Sequence, residues 1–104
     1  MGPEGLDYSL MITSELIRAA RALLRWEQRD LAEVSAVSLA TIKRLETIPG
    51  VLGAHRSTVT ALRRALESGG IEFTNGDAPG VRLRLDRKSS ADSHRPDPGK
   101  ARRK

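Results

Sequence analysis

Lys43 and Arg44 stand side by side in a short segment, Leu39 to Glu46, in which Ile42 and Leu45 recur three residues apart. At about 100° per residue, that spacing turns Ile42 and Leu45 to one face of a helix, so Leu39, Ala40, Lys43 and Arg44 project outward. A point-charge ammonium beside a planar guanidinium donates hydrogen bonds and attracts anions, so the chemistry on offer is recognition. Residues for bond-making chemistry are lacking. The chain has no cysteine, which removes disulfides, thiolate metal sites and cysteine nucleophiles together. Its two histidines, His55 and His94, are far apart, and no carboxylate spacing around either makes a metal site. There is no glycine-rich phosphate cradle and no nucleophile with a plausible base, and 104 residues are too few to enclose an active-site cleft. The sequence reads as a non-enzyme without cofactor or metal.

The elements that must position Lys43 and Arg44 follow from periodicity and capping. Thr13 or Ser14 can cap a first helix over 14–24, where Ile17, Ala20, Leu23 and Leu24 recur at helical spacing between Arg18, Arg21 and Arg25. A second helix, Gln28 to Val34, sets Leu31 and Ala32 inward, and Glu27 and Asp30 place negative charge where a helix N-terminus favours it. Ser35-Ala36-Val37 breaks the pattern, and Ser38 caps a third helix over 39–46. Pro49-Gly50 and Gly53 mark a loop, after which Ser57 opens a fourth helix with Val59, Leu62 and Leu66 on one face. Gly69-Gly70 ends it. Ile71-Glu72-Phe73 and Val81 to Leu85 alternate apolar with polar, which suits a short antiparallel hairpin after the helices. Trp26 reads as packing between the first two helices.

Two short helices joined by so tight a turn must cross steeply, the helix-turn-helix arrangement. Counting from Gln28, the small Ala32 falls where the helices cross, Ala36 in the turn, and Ile42 and Leu45 on the buried side of the second helix. The run Gln28-x-x-Leu31-Ala32-x-x-Ser35-Ala36-Val37-Ser38-x-x-Thr41-Ile42-x-x-Leu45-Glu46 resembles the helix-turn-helix domains of the phage lambda repressor and Cro superfamily, the XRE family. The likeness covers roughly residues 13 to 68. It implies a mainly α fold, a lambda-repressor-like domain of four to five helices, followed here by a hairpin or strand pair. It further implies double-stranded DNA as the ligand, with Leu39, Ala40, Lys43 and Arg44 reading bases in the major groove. Gln28 matches the family's phosphate-binding glutamine, Ser38 and Thr41 are lesser phosphate candidates, and Arg21 and Glu46 match a structural salt bridge. One departure stands out: the family commonly has glycine in the turn where this chain has Ala36, at a cost on the order of 1 kcal/mol in a left-handed backbone.

Charge supports this reading only weakly. The net charge is +5, but residues 86–104 hold seven Lys/Arg against three Asp, leaving a body with eleven Lys/Arg and ten acids. The expected organisation is a flexible N-terminus over 1–12, the helix-turn-helix domain over 13–68, a hairpin that is a possible dimerisation element over 69–85, and a disordered basic tail over 86–104. Nowhere are there ~18 consecutive apolar residues, and residues 1–10 hold two acids and no apolar run, so a cytoplasmic location without membrane insertion is the expectation. The implied function is a transcriptional regulator, more often a repressor, acting as a homodimer. The alternatives are an antitoxin that binds its own promoter and engages a toxin through the hairpin or tail, and a helix-turn-helix domain used only for protein contacts.

Overall fold

The computed structural model describes residues 11–74 and 78–85. Four α-helices, α1 (Ser14–Leu24), α2 (Gln28–Ser35), α3 (Leu39–Thr47) and α4 (Arg56–Ser68), are followed by β1 (Ile71–Thr74) and β2 (Gly80–Leu83). The mainly helical reading with a two-stranded antiparallel sheet is therefore correct, as is the order of the six elements, while the ends of α2, α3, α4 and β2 differ by one or two residues. The N-terminal segment 1–10, the hairpin loop 75–77 and the tail 86–104, with the flexibility and disorder expected there, lie outside the described residues. Among the described residues, no helix is long and apolar enough to cross a membrane.

Local chemistry fixes the helix ends. Thr13, rather than Ser14, caps α1: its Oγ1 accepts the Leu16 N–H at 3.0 Å, while Ser14 is fully buried inside the first turn. At the other end of α1, Arg25 enters the left-handed region with φ 59° and ψ 36°. This reverses the chain so that Trp26 drops into the core with 4% exposure. Helix α2 opens on a capping box between Glu27 and Asp30, in which Asp30 Oδ2 accepts the Glu27 N–H at 2.8 Å. Helix α4 starts one residue earlier than Ser57 suggests, with His55 as N-cap and no side-chain capping bond.

The core gathers one stripe from each helix: Ile17, Ala20 and Leu24 from α1, Leu31 from α2, Ile42 and Leu45 from α3, and Val59, Leu62, Ala65 and Leu66 from α4. The stripes of α1, α3 and α4 repeat at three- and four-residue steps, the spacing that keeps side chains on one side of a helix. Leu23 does not belong to it. Although it shares the apolar spacing of α1, it is 42% exposed, because a helix turned to bury Ala20 and Leu24 carries Leu23 round to the solvent edge.

Ile12, within the segment 1–12 expected to be flexible, is buried and belongs to the folded body, while residues 1–10 lie outside the described residues. It enters through an antiparallel bridge between Thr13 and Val51, flanked by Ser14 N–H to Gly50 O at 2.9 Å and Leu52 N–H to Ile12 O at 3.0 Å. The start of α1 is thereby tied to the segment leaving α3.

The hairpin shares this core. Its register pairs Ile71 with Leu83, Glu72 with Arg82, Phe73 with Val81 and Thr74 with Gly80. Ile71, Phe73, Val81 and Leu83 lie on one face and pack on the helices, β2 against α1 and β1 against α4. The other face carries Glu72, whose carboxylate takes Arg82 Nε at 2.8 Å and Arg84 Nε at 3.3 Å. The apolar residues of the hairpin are thus mostly used internally. Leu85 is the exception: β2 ends at Leu83, and Leu85 beyond it is 86% exposed. Gly69 allows the close junction, since a Cβ there would stand 3.1 Å from both Leu24 Cδ1 and Trp26 Cζ2.

Candidate nucleic-acid interface

The turn between α2 and α3 is closed by small groups. Ala36 takes φ 63° and ψ 23° and donates its N–H to Ala32 O at 2.9 Å, while Ser35 Oγ accepts the Val37 N–H at 3.1 Å. Ala36 is one of two non-glycine residues with positive φ among those described, the other being Arg25. A larger or branched side chain would worsen an already unfavourable conformation. Ser38 then caps α3, its Oγ accepting the Thr41 N–H at 3.1 Å and donating to Thr41 Oγ1 at 2.9 Å. Both hydroxyls proposed for phosphate contact are therefore already joined in one small network at the start of α3.

Ile42, Leu45 and Glu46 are buried and define the inner side of α3. Counting about 100° per residue from their mean direction, Ala40, Arg44 and Thr47 point most directly outward. Lys43 lies on the flank shared with Leu39, and Thr41 on the opposite flank. Ala40, Lys43, Arg44 and Thr47 are exposed and Leu39 and Thr41 half-buried. Leu39 is thus partly withdrawn from the outer face, whereas Thr47 joins it. The sequence reading ended the helix at Glu46 and so stopped one residue short of Thr47. The Thr47 hydroxyl is spent on Lys43 O at 2.7 Å.

Behind this face sits a charged knot. Arg21 Nε donates to Glu46 Oε2 and Arg21 Nη2 to Glu46 Oε1, both at 2.7 Å. Side-chain exposure is 18% for Arg21 and 5% for Glu46, so the pair is largely out of water. Arg21 Nη1 adds a bond to Trp26 O at 3.0 Å, and Arg18 Nη1 donates to Glu46 O at 3.0 Å near the end of α3. Gln28 Nε2 completes the set on Glu46 Oε1 at 3.0 Å. A buried carboxylate needs this many donors, because each unsatisfied lone pair would carry a desolvation penalty. Gln28, expected at phosphate, therefore has one amide hydrogen committed inside the fold and only the other left for a ligand. Beside it, exposed Glu27 sets a carboxylate at the N-terminus of α2, which opposes an anion there.

A cleft of about 630 Å³ opens beside α3, between Thr41 and Arg44 on one wall and Leu52, Gly53, Ala54, His55 and Thr58 on the other. It contains Arg44 and His55 and no carboxylate. Sequence reasoning gave His55 no part in the site, and nothing in the local pattern signals it; only the path of the 48–54 segment brings it opposite Arg44. The assembled surface can donate hydrogen bonds from Lys43 and Arg44, offer a methyl contact from Ala40, and accept an anion at its cleft side. Comparison of the chain with family models, curated proteins and solved structures gives no match.

Proposed function

We propose that this chain is a sequence-specific double-stranded DNA-binding protein, a transcriptional regulator acting by repression, that reads the major groove with helix α3. The observation that carries the reading is the segregation of α3. Ile42, Leu45 and Glu46 are held inside by core and salt bridge, while Ala40, Lys43 and Arg44 are exposed together on a helix braced across α2. A guanidinium so presented can grip guanine O6 and N7 with two bonds, and alanine fits against a thymine methyl. Leu39, half-buried, contributes its edge at the N-terminal end. Ser38, Thr41 and the remaining Gln28 amide hydrogen serve the phosphates.

Selection of binding sites from random duplex DNA, followed by Arg44→Ala on the selected site, tests the proposal. The expected result is an enriched short sequence and a loss of roughly 1–3 kcal/mol concentrated at one base pair. No enrichment over random DNA at low salt overturns it.

Dimerisation belongs to the same proposal, because one helix-turn-helix reads a single half-site and paired half-sites stand about 34 Å apart. The supporting features are Leu85 and the outer edge of β2. Arg84 donates its N–H to Gly70 O at 2.9 Å. By the alternation of antiparallel pairing, the backbone groups of Val81 and Leu83 then face away from β1. A second reading, a helix-turn-helix fold used for protein contacts, is favoured by the Glu27 carboxylate at the α2 N-terminus. That reading expects no DNA affinity even at low salt.

A further inference from the structure

We infer that the cleft between α3 and α4 seats a backbone phosphate of the bound duplex, and that His55 makes this seat proton-dependent, so that DNA affinity rises as pH falls. The inference rests on the DNA-binding reading and adds to it a position and a regulation. The observation is the composition of the cleft: its walls carry one permanent cation, Arg44, one titratable base, His55, and two hydroxyls, Thr41 and Thr58, with no carboxylate among the lining residues. Arg44 also stands on the outward face of α3, so while its guanidinium reaches a base edge the adjoining sugar-phosphate strand crosses the mouth of the cleft, where His55 and the Thr41 and Thr58 hydroxyls face the phosphate.

The His55 side chain is available for this task. It is exposed and makes no capping bond to α4, although it occupies the N-cap position. The groups facing it are Arg44 and Thr41 from α3, Thr58 from α4, and the uncharged Leu52, Gly53 and Ala54 from the connecting segment. Arg56 follows it directly in the chain. With Arg44 across the cleft and Arg56 next in the chain, the local field is positive. A phosphate reverses the sign of the local field. Binding then draws a proton onto the imidazole, and by linkage lower pH tightens binding. Histidine is the side chain whose ordinary charge change falls between pH 5 and 8, the range over which binding is to be followed.

The experiment is fluorescence anisotropy of the full chain on its selected duplex from pH 5.5 to 8.0, at several salt concentrations, for the wild type, His55→Gln and Arg44→Ala. The wild type is expected to bind roughly three- to tenfold tighter at the acidic end. Its log–log salt slope should steepen there by about 0.9, the value for one added phosphate neutralised. In His55→Gln both effects disappear, while the preferred sequence stays as in the wild type. Arg44→Ala keeps a pH dependence but loses base preference. If His55→Gln retains the wild-type pH dependence and salt slope, the inference is overturned. If the wild type binds no duplex selectively at any pH, the DNA-binding reading fails instead. Equal melting temperatures for His55→Gln and wild type separate both outcomes from misfolding.

Discussion

Arg21 holds Glu46 through two parallel hydrogen bonds of 2.7 Å, joining the last turn of α1 to the last turn of α3 across a gap of 25 residues in sequence. Because the carboxylate is 5% exposed and also receives Gln28, its position settles which way α3 is rolled about its own axis.

Removal of one partner strands the other charge away from water. Glu46→Ala is expected to lose about 3 kcal/mol in urea unfolding, and Arg21→Met a similar amount. The double variant Arg21→Met/Glu46→Leu should recover much of the loss, since it buries no lone ion. DNA affinity should weaken in the single variants only as far as their unfolded fraction rises. Unchanged melting of Glu46→Ala would show that the pair contributes nothing.

Ala36→Gly removes a side chain from a left-handed position, with φ at 63°. Relief of roughly 1 kcal/mol is partly offset by the greater freedom of glycine in the unfolded chain. The expected change is between neutral and ~1 kcal/mol stabilising, with DNA binding kept. Arg25→Gly, at φ 59°, should move the same way. A clear drop in melting temperature for either would show that the native side chain makes contacts worth more than the strain.

Acid should weaken the junction between α1 and the 48–52 segment. Its own backbone N–H and that of Gly50, with smaller help from Ser14 and Arg18, hold the Glu15 carboxyl below its ordinary range. A depressed native value stabilises the fold above the unfolded-state value and is lost as pH falls through the native one. The wild type should therefore lose more melting temperature than Glu15→Gln on going from pH 6 to pH 3. Equal losses would place the acid sensitivity elsewhere.

Leu85 is 86% exposed at the end of the hairpin, so Leu85→Asp should leave monomer stability within about 0.5 kcal/mol of the wild type. Sedimentation at micromolar concentration is expected to show a wild-type dimer and a Leu85→Asp monomer. A wild type that sediments as a monomer, free and on DNA, removes the hairpin dimer.

The sequence was most informative where the determinants are local. Thr13 and Ser38 cap their helices within one turn, and the run from Ile42 to Leu45 sets the inner side of α3, so the starts of these helices and the buried side of α3 were legible. Distant partners were not. Leu23 repeats the apolar spacing of α1, yet whether that edge is covered depends on where β2 docks, a choice made 60 residues later. Gln28 could be matched to a position but not to a partner, because its bond to Glu46 depends on how α2 and α3 cross. His55 faces Arg44 only through the course of the loop between α3 and α4. The left-handed Arg25 carries no local sign either, since glycine or asparagine is the usual marker of that backbone.

Trp26 gives the protein its own gauge. It is the sole indole of the chain, 4% exposed, set against the close approach of Gly69, and its Nε1 has no hydrogen-bond partner among the described residues. Its emission should therefore be blue-shifted in the native state and move to the red when α1, α2 and the hairpin separate. The outward face of α3 lies elsewhere, so bound DNA should leave that colour nearly unchanged. One optical signal then reports whether each variant is folded while anisotropy of labelled DNA reports whether it binds.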